Sequence, residues 1–113
     1  MISGGIAMLF VADVARSTRF FVETLGMKLV QDGGAHWAAV DAGEGFVIGL
    51  HLGTPSTAEG APKVGLTPKV PIDDAIAILE NRGVSFAVRR EGGRVIADFV
   101  DPDGNRLYLY SGG

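Results

Sequence analysis

The strongest constraint on this chain is that its second half repeats the plan of its first. Residues 6–11 form an apolar run of strand length, followed by Asp13, a residue suited to cap a helix. Val14, Thr18, Phe21 and Leu25 then recur at i, i+4, i+7 and i+11, one helical face, with Arg16, Arg19 and Glu23 off it. Gly26 stands where a left-handed residue would end that helix. Three strands are predicted next, over 27–31, 36–41 and 46–52. Asp32-Gly33-Gly34 and Gly43-Glu44-Gly45 separate them as turns.

After a stretch rich in Gly, Pro, Ser, Thr and Ala, the pattern restarts. A strand is predicted over 64–70, with Pro71 well placed near a helix start. Asp73 and Asp74 suit the positive end of a helix dipole. Ile72, Ala75, Ile76 and Leu79 make its apolar stripe, and Gly83 ends it. Strands over 84–89, 94–100 and 106–110 follow, joined by Glu91-Gly92-Gly93 and Asp101-Pro102-Asp103-Gly104-Asn105.

The helix-ending glycines, 26 and 83, are 57 positions apart in a chain of 113 residues. Self-similarity at half the chain length argues for duplication of one supersecondary unit. Neither half alone could bury the sheet it forms. The expected fold is α+β: two β-α-β-β-β modules forming an eight-stranded, curved mixed sheet, with a concave cavity and helices on the outer face. It is expected as one domain over 1–113. Module 1 spans about 4–53, a linker 54–63, and module 2 about 64–111.

Composition then removes several kinds of chemistry. The chain has no cysteine and two histidines, His36 and His51. That excludes a disulfide scaffold, a thiol nucleophile, a zinc finger and an iron–sulfur site. A net charge of −3 argues against nucleic acid as a partner. The densest basic stretch, Arg89, Arg90 and Arg94, is interrupted by Glu91 and reads as a solvated strand end. No apolar run approaches the ~20 residues a membrane span needs, so no membrane partner is expected. No basic region precedes an apolar stretch at the start, so no signal peptide is expected either. The expected setting is soluble and cytoplasmic.

Alternation sorts each strand into two faces. Ile48, Leu50 and Leu52 are uniformly apolar and should face a helix, as should Leu107 and Leu109. The mixed sets, Val47, Gly49 and His51 or Arg106, Tyr108 and Tyr110, should face the cavity. On the fifth strand Thr67 and Lys69 join that face. A three-residue loop with a bulge in the 101–105 turn would set Asp98 opposite Tyr108. The candidate ligand-binding residues are Met8, Phe10, Trp37, His51, Thr67, Lys69, Asp98 and Tyr108. They combine apolar surface with a few convergent polar groups, as small-molecule sites do. Each also has an ordinary structural role open to it: Lys69 can reach solvent, and Asp98 can bridge to Lys69 or Arg106. Trp37 is the only tryptophan, and alternation leaves its side undecided between core packing and a stacking wall.

Three stretches carry a family resemblance: Val11-Ala12-Asp13, the helix end Phe20-Phe21-Val22-Glu23-Thr24-Leu25-Gly26-Met27, and Asp101-Pro102-Asp103-Gly104-Asn105. In this order, within two β-α-β-β-β halves, they resemble the vicinal oxygen chelate superfamily of glyoxalases, extradiol dioxygenases and bleomycin-resistance proteins. The resemblance covers nearly the whole chain. It implies that a divalent metal would be held from the first, fourth, fifth and eighth strands. Aligned on the motifs, those positions are Ile6, Gly49, Gly65 and Tyr108. None is a histidine or glutamate, and isoleucine and glycine offer no donor atom.

The resemblance therefore implies a metal-free member, with no cofactor, that binds a small organic molecule. Its implied setting is antibiotic resistance or the handling of a secondary metabolite, as a homodimer; the modest acidity suits a cationic or neutral ligand. Two alternatives stand beside this. One is a lyase, isomerase or dioxygenase of the same superfamily, using His51, Asp98 and Tyr108 or a non-standard metal site. The other is an interaction module with a filled cavity. The catalytic residues, if there are any, are not assigned by the sequence.

Overall fold

Each half begins with a strand whose end is fixed by the helix that follows it. In the first half, β1 (Ala7–Val11) leads into α1 (Val14–Arg19), and the Asp13 carboxylate accepts from the Arg16 backbone N–H at 3.0 Å, an N-cap. In the second, Pro71 precedes α2 (Ile72–Asn81) with φ −51°, and Asp73 and Asp74 occupy the first turn. The chain, in this computed structural model, is described over residues 1–112. It divides into two units, Met1–Ser56 and the segment from Thr57 onward. Residues 57–63, which read as linker, thus belong with the second unit.

The first unit continues through β2 (Lys28–Asp32), β3 (Trp37–Gly43) and β4 (Phe46–Leu52), in the sheet order β1-β4-β3-β2. The second comprises β5 (Val64–Leu66), α2, β6 (Ala87–Glu91), β7 (Arg94–Val100) and β8 (Arg106–Ser111), in the order β5-β8-β7-β6. In each sheet the first strand pairs parallel with the last, and the other pairs are antiparallel. Eight strands, two β-α-β-β-β modules and an α+β class are therefore present, hydrogen-bonded as two four-stranded mixed sheets.

One face of each sheet carries the core. Val11, Val40, Ile48 and Leu50 are buried in the first unit with Val14, Ser17 and Phe21 of its helical segment. Ala97, Phe99, Leu107 and Leu109 are buried in the second with Ile72, Ala75, Ile76 and Leu79 of α2. Leu52, expected with Ile48 and Leu50, is exposed at the strand end. No helix among the described residues is long and apolar enough to cross a membrane.

Four features of three elements differ from the sequence reading, each for a local reason. The first helix changes pitch: Phe20–Thr24 is a π-helical turn, and the Leu25 N–H reaches the Phe20 carbonyl at 3.0 Å. On α1 the side chain after Val14 that turns fully inward is Ser17, while the Thr18 hydroxyl donates to the Val14 carbonyl at 2.8 Å. β5 stops at Leu66 instead of running to residue 70, because Pro68 has no N–H for a ladder. Thr67 and Lys69 therefore lie beyond the strand. β6 starts at Ala87 instead of residue 84, because α2 closes over Gly83 (φ +94°) with the Val84 N–H on the Leu79 carbonyl, a Schellman closure.

Candidate functional site

In the first unit the strand register collects one aromatic row. Met8 pairs with Gly49, Phe10 with His51, and Trp37 with His51, so these side chains share the face opposite the helix. The His51 ring lies edge-on between two neighbours, 5.6 Å from Phe10 and 6.0 Å from Trp37 between centroids. Its Nδ1 sits 2.8 Å from the Leu52 carbonyl oxygen. A carbonyl only accepts, so Nδ1 carries the hydrogen, and in the neutral imidazole the lone pair is then on Nε2. Met8 and Phe10 are 49% and 43% exposed, an apolar surface open beside the imidazole.

Trp37, whose side alternation left undecided, belongs to this face. Its indole N–H donates to the Gln31 side-chain oxygen at 3.1 Å, and its ring lies over Gly49. A Cβ built on Gly49 would stand 2.8 Å from Trp37 Cζ3 and nearer still to Cη2, with Ile6 Cδ1 at 3.2 Å. Gly49 is thus the residue that lets the indole come up against the sheet.

The second unit builds a polar counterpart. Asp98 is directly opposite Tyr108 on β8, as the turn chemistry predicted, and Tyr108 is opposite Gly65 on β5. A Cβ on Gly65 would stand 2.5 Å from the Tyr108 hydroxyl and 2.8 Å from its Cε2, so the phenol covers that glycine. Tyr108 and Tyr110 rings are 5.8 Å apart. Asp98 bridges not to Lys69 or Arg106 but to Lys63 at 3.1 Å through Oδ1 and to Arg89 at 3.3 Å through Oδ2.

The hairpin that holds this register is itself anchored. Asp101, 2% exposed, accepts from the backbone N–H groups of Asp103 (2.9 Å) and Asn105 (2.8 Å) and from the Asn105 amide (2.9 Å). Burial pushes its carboxyl above the usual carboxylate value, against the opposing pull of those donors.

Met8, Phe10, Trp37 and His51 are therefore one group, and Asp98 and Tyr108 another, each within its own unit. Thr67 and Lys69 are exposed residues after β5 and line neither strand face. Sequence reasoning missed Gln31, Lys63 and Arg89. The one signal it did hold was a glycine mid-strand at 49 and 65, which marks a close approach.

Comparison with known proteins gives this geometry its context. The family model for the Glyoxalase/Bleomycin resistance protein/Dioxygenase superfamily matches residues 5–109. The chain belongs to that superfamily. Among solved structures similar to this superfamily member is a glyoxalase/bleomycin resistance protein from Streptomyces sp. CB03234. It is 29% identical, with a TM-score of 0.76 over 96% of this chain and 100% of that one. A member from Sphaerobacter thermophilus is 25% identical, with a TM-score of 0.78 over 97% of both chains. A protein from the mobile metagenome of V. pseudocholerae is 27% identical, with a TM-score of 0.71 over 100% of this chain and 97% of that one. No curated protein sequence matches the chain.

The superfamily's metal does not fit the residues at the implied positions. Ile6 and Gly49 are neighbours, but one offers a methyl and the other lies beneath an indole. Gly65 lies beneath Tyr108, the only one of the four with a donor atom. One phenol cannot hold a divalent ion alone. Among the described residues, no three His, Asp or Glu side chains are grouped to take up a metal.

Proposed function

We propose that this superfamily member binds a small, ring-bearing organic molecule without a metal. The observation that carries the reading is the Phe10–His51–Trp37 row, with Trp37 lying over Gly49 where a metal donor is implied. An exposed aromatic platform offers a ligand both apolar area and ring contact, the latter about 0.5–1.5 kcal/mol for each pair. His51 Nε2 accepts a hydrogen bond from the ligand, and Met8 extends the apolar floor. Asp98 and Tyr108 are the candidate polar contacts of the second unit, with Thr67 and Lys69, just after β5, as further candidates. In this reading the protein works in the cytoplasm as a homodimer, sequestering an antibiotic or handling a secondary metabolite.

The sole tryptophan makes the test direct. A panel of planar antibiotics and metabolites should give saturable quenching of Trp37 fluorescence and a rise in Tm, with ligand recovered unchanged and no stoichiometric metal by elemental analysis. His51→Ala should weaken binding about three- to tenfold, as loss of one hydrogen bond and one ring edge does. A panel with no saturable binding removes the reading.

One observation favours a second reading, cofactor-free acid–base chemistry at His51. Its Nδ1 is held by the Leu52 carbonyl, which orients Nε2 as a base. Product formation from any bound ligand, abolished in His51→Ala, distinguishes it from binding alone.

A further inference from the structure

The chain as a whole is acidic, with net charge −3, yet one face of the second unit has the opposite sign. Register and alternation place Arg89 and Glu91 of β6, Arg94 and Asp98 of β7, and Arg106 of β8 on the face that carries Tyr108. Lys63 reaches the same face through its contact with Asp98. That is four cations against two carboxylates, an excess of two. Asp98 is occupied by Lys63 and Arg89, and Glu91 stands opposite Arg94. Arg106 has no carboxylate in ion-pair range among the described residues.

Arg106 also lines a groove of about 380 Å³ together with Lys63 and Asp98. Phe86, Val100 and Leu107 form its apolar part. Small-molecule sites run from about 300 to 1,000 Å³, so this groove suits a compact ligand. A guanidinium without a partner, beside a lysine and above apolar side chains, is the arrangement that takes a carboxylate on a hydrophobic body.

We infer that this groove is an anion subsite, and that the ligand of the second unit is a small organic carboxylate bound through Arg106. The inference rests on the small-molecule reading above and reverses the ligand charge that the acidic composition implied. Arg106 takes the carboxylate in a two-point grip, and Lys63 adds a second positive charge. Asp98 is the restraint: its carboxylate neutralises Lys63 and Arg89 when the groove is free.

The test uses the full chain and three probes that share one phenyl ring and differ in charge, benzoate, benzamide and benzylamine, titrated at low salt and followed by amide chemical shifts. Benzoate should shift residues 85–87 and 98–107 saturably, with benzamide and benzylamine weaker. Arg106→Gln should weaken benzoate about tenfold, the loss of a charge-assisted pair. Arg106→Lys should fall between, keeping the charge without the fork. Asp98→Asn should tighten benzoate about threefold by freeing Lys63 and Arg89, an improvement that a purely structural role for Asp98 does not give. Benzamide or benzylamine binding as well as benzoate overturns the inference and leaves the small-molecule reading standing. So do benzoate shifts confined to the Phe10–His51–Trp37 row. No saturable benzoate shift overturns it too, while the broader reading is decided separately by ring-bearing ligands at Trp37.

Discussion

The two halves are built on one plan and finished with opposite chemistry. Both place an aromatic ring over a mid-strand glycine on the face away from the helix. In the first half the ring is Trp37, reaching from the diagonal position on an antiparallel neighbour, since Ala39 is the residue opposite Gly49. In the second it is Tyr108, directly opposite Gly65 on a parallel neighbour. Beside the first ring stand His51 and Ile6, with Gln31 as its polar anchor; beside the second stand Tyr110 and Asp98, the latter paired with Lys63 and Arg89. A duplicated fold constrains which positions face outward and leaves their chemistry free to diverge, because those side chains carry little of the core.

The largest expected difference lies in the corresponding hairpins. In β7–β8, Asp101 is buried and holds three donors. In β3–β4, Asp41 is half-buried and, among the described residues, accepts only from the Gly43 N–H, at 2.7 Å. Asp101→Ala should cost about 3 kcal/mol by urea denaturation, because buried donors lose their acceptor. Asp41→Ala should cost under about 1 kcal/mol, since water replaces the bond. Equal costs would remove the distinction between the two turns. Asp101 also predicts a pH dependence. Its carboxyl is held above the ordinary 3.8, so in that window the folded chain keeps a proton that the unfolded chain has lost. Its contribution to stability is therefore fullest below 3.8 and declines as pH rises through the raised value. Asp101→Asn should abolish that decline.

The glycines come next. Gly49→Ala must displace Trp37, whose indole is tied to Gln31, and should cost about 1–3 kcal/mol as overpacking does. Gly65→Ala meets the tip of Tyr108, a half-exposed phenol that can swing aside, and should cost under about 1 kcal/mol. A double-mutant cycle sharpens the contrast: in a Trp37→Ala background the Gly49→Ala penalty should largely vanish. An unchanged penalty there would show that the indole is not what keeps residue 49 a glycine.

How far the sequence could be read also differs between the halves, and the reasons are physical. Asp98 opposite Tyr108 was legible because Asp101-Pro102-Asp103-Gly104-Asn105 admits few turn geometries, and one turn sets every pair in its hairpin. Trp37 was not legible because β3 has no clean alternation: Trp37, Ala39 and Asp41 on one side, Ala38, Val40 and Ala42 on the other. Its Gln31 partner lies past a register shift between Leu29 and Gln31 on β2, which period-two counting cannot foresee. Lys63 was hidden because a Gly/Pro-rich stretch reads as linker, although its last residue reaches a strand face. Thr67 and Lys69 were carried past the end of β5 by the same counting, where Pro68 breaks the ladder. In general, elements and faces followed from local pattern. The partners of the site did not, because they come from neighbouring strands and loops whose register is set elsewhere.

The smallest effect separates the two helix starts. Asp13 caps α1 through a side-chain bond, at 3.0 Å to Arg16. Pro71 stands at the same place before α2 with no side-chain acceptor for a backbone N–H, and α2 relies on Asp73 and Asp74 in its first turn instead. Asp13→Ala should therefore cost about 1 kcal/mol, the usual worth of an N-cap acceptor. Pro71→Ala should cost only about 0.5 kcal/mol, and that through the greater freedom of the unfolded chain. The two origins are separable by salt. An acidic residue at the dipole's positive end is screened, so the Asp13→Ala cost should shrink in part as ionic strength rises, while the Pro71→Ala cost should not move. Salt dependence in the second variant would mean that Pro71 acts on α2 through its first-turn carboxylates, making the two starts electrostatically alike despite their different residues.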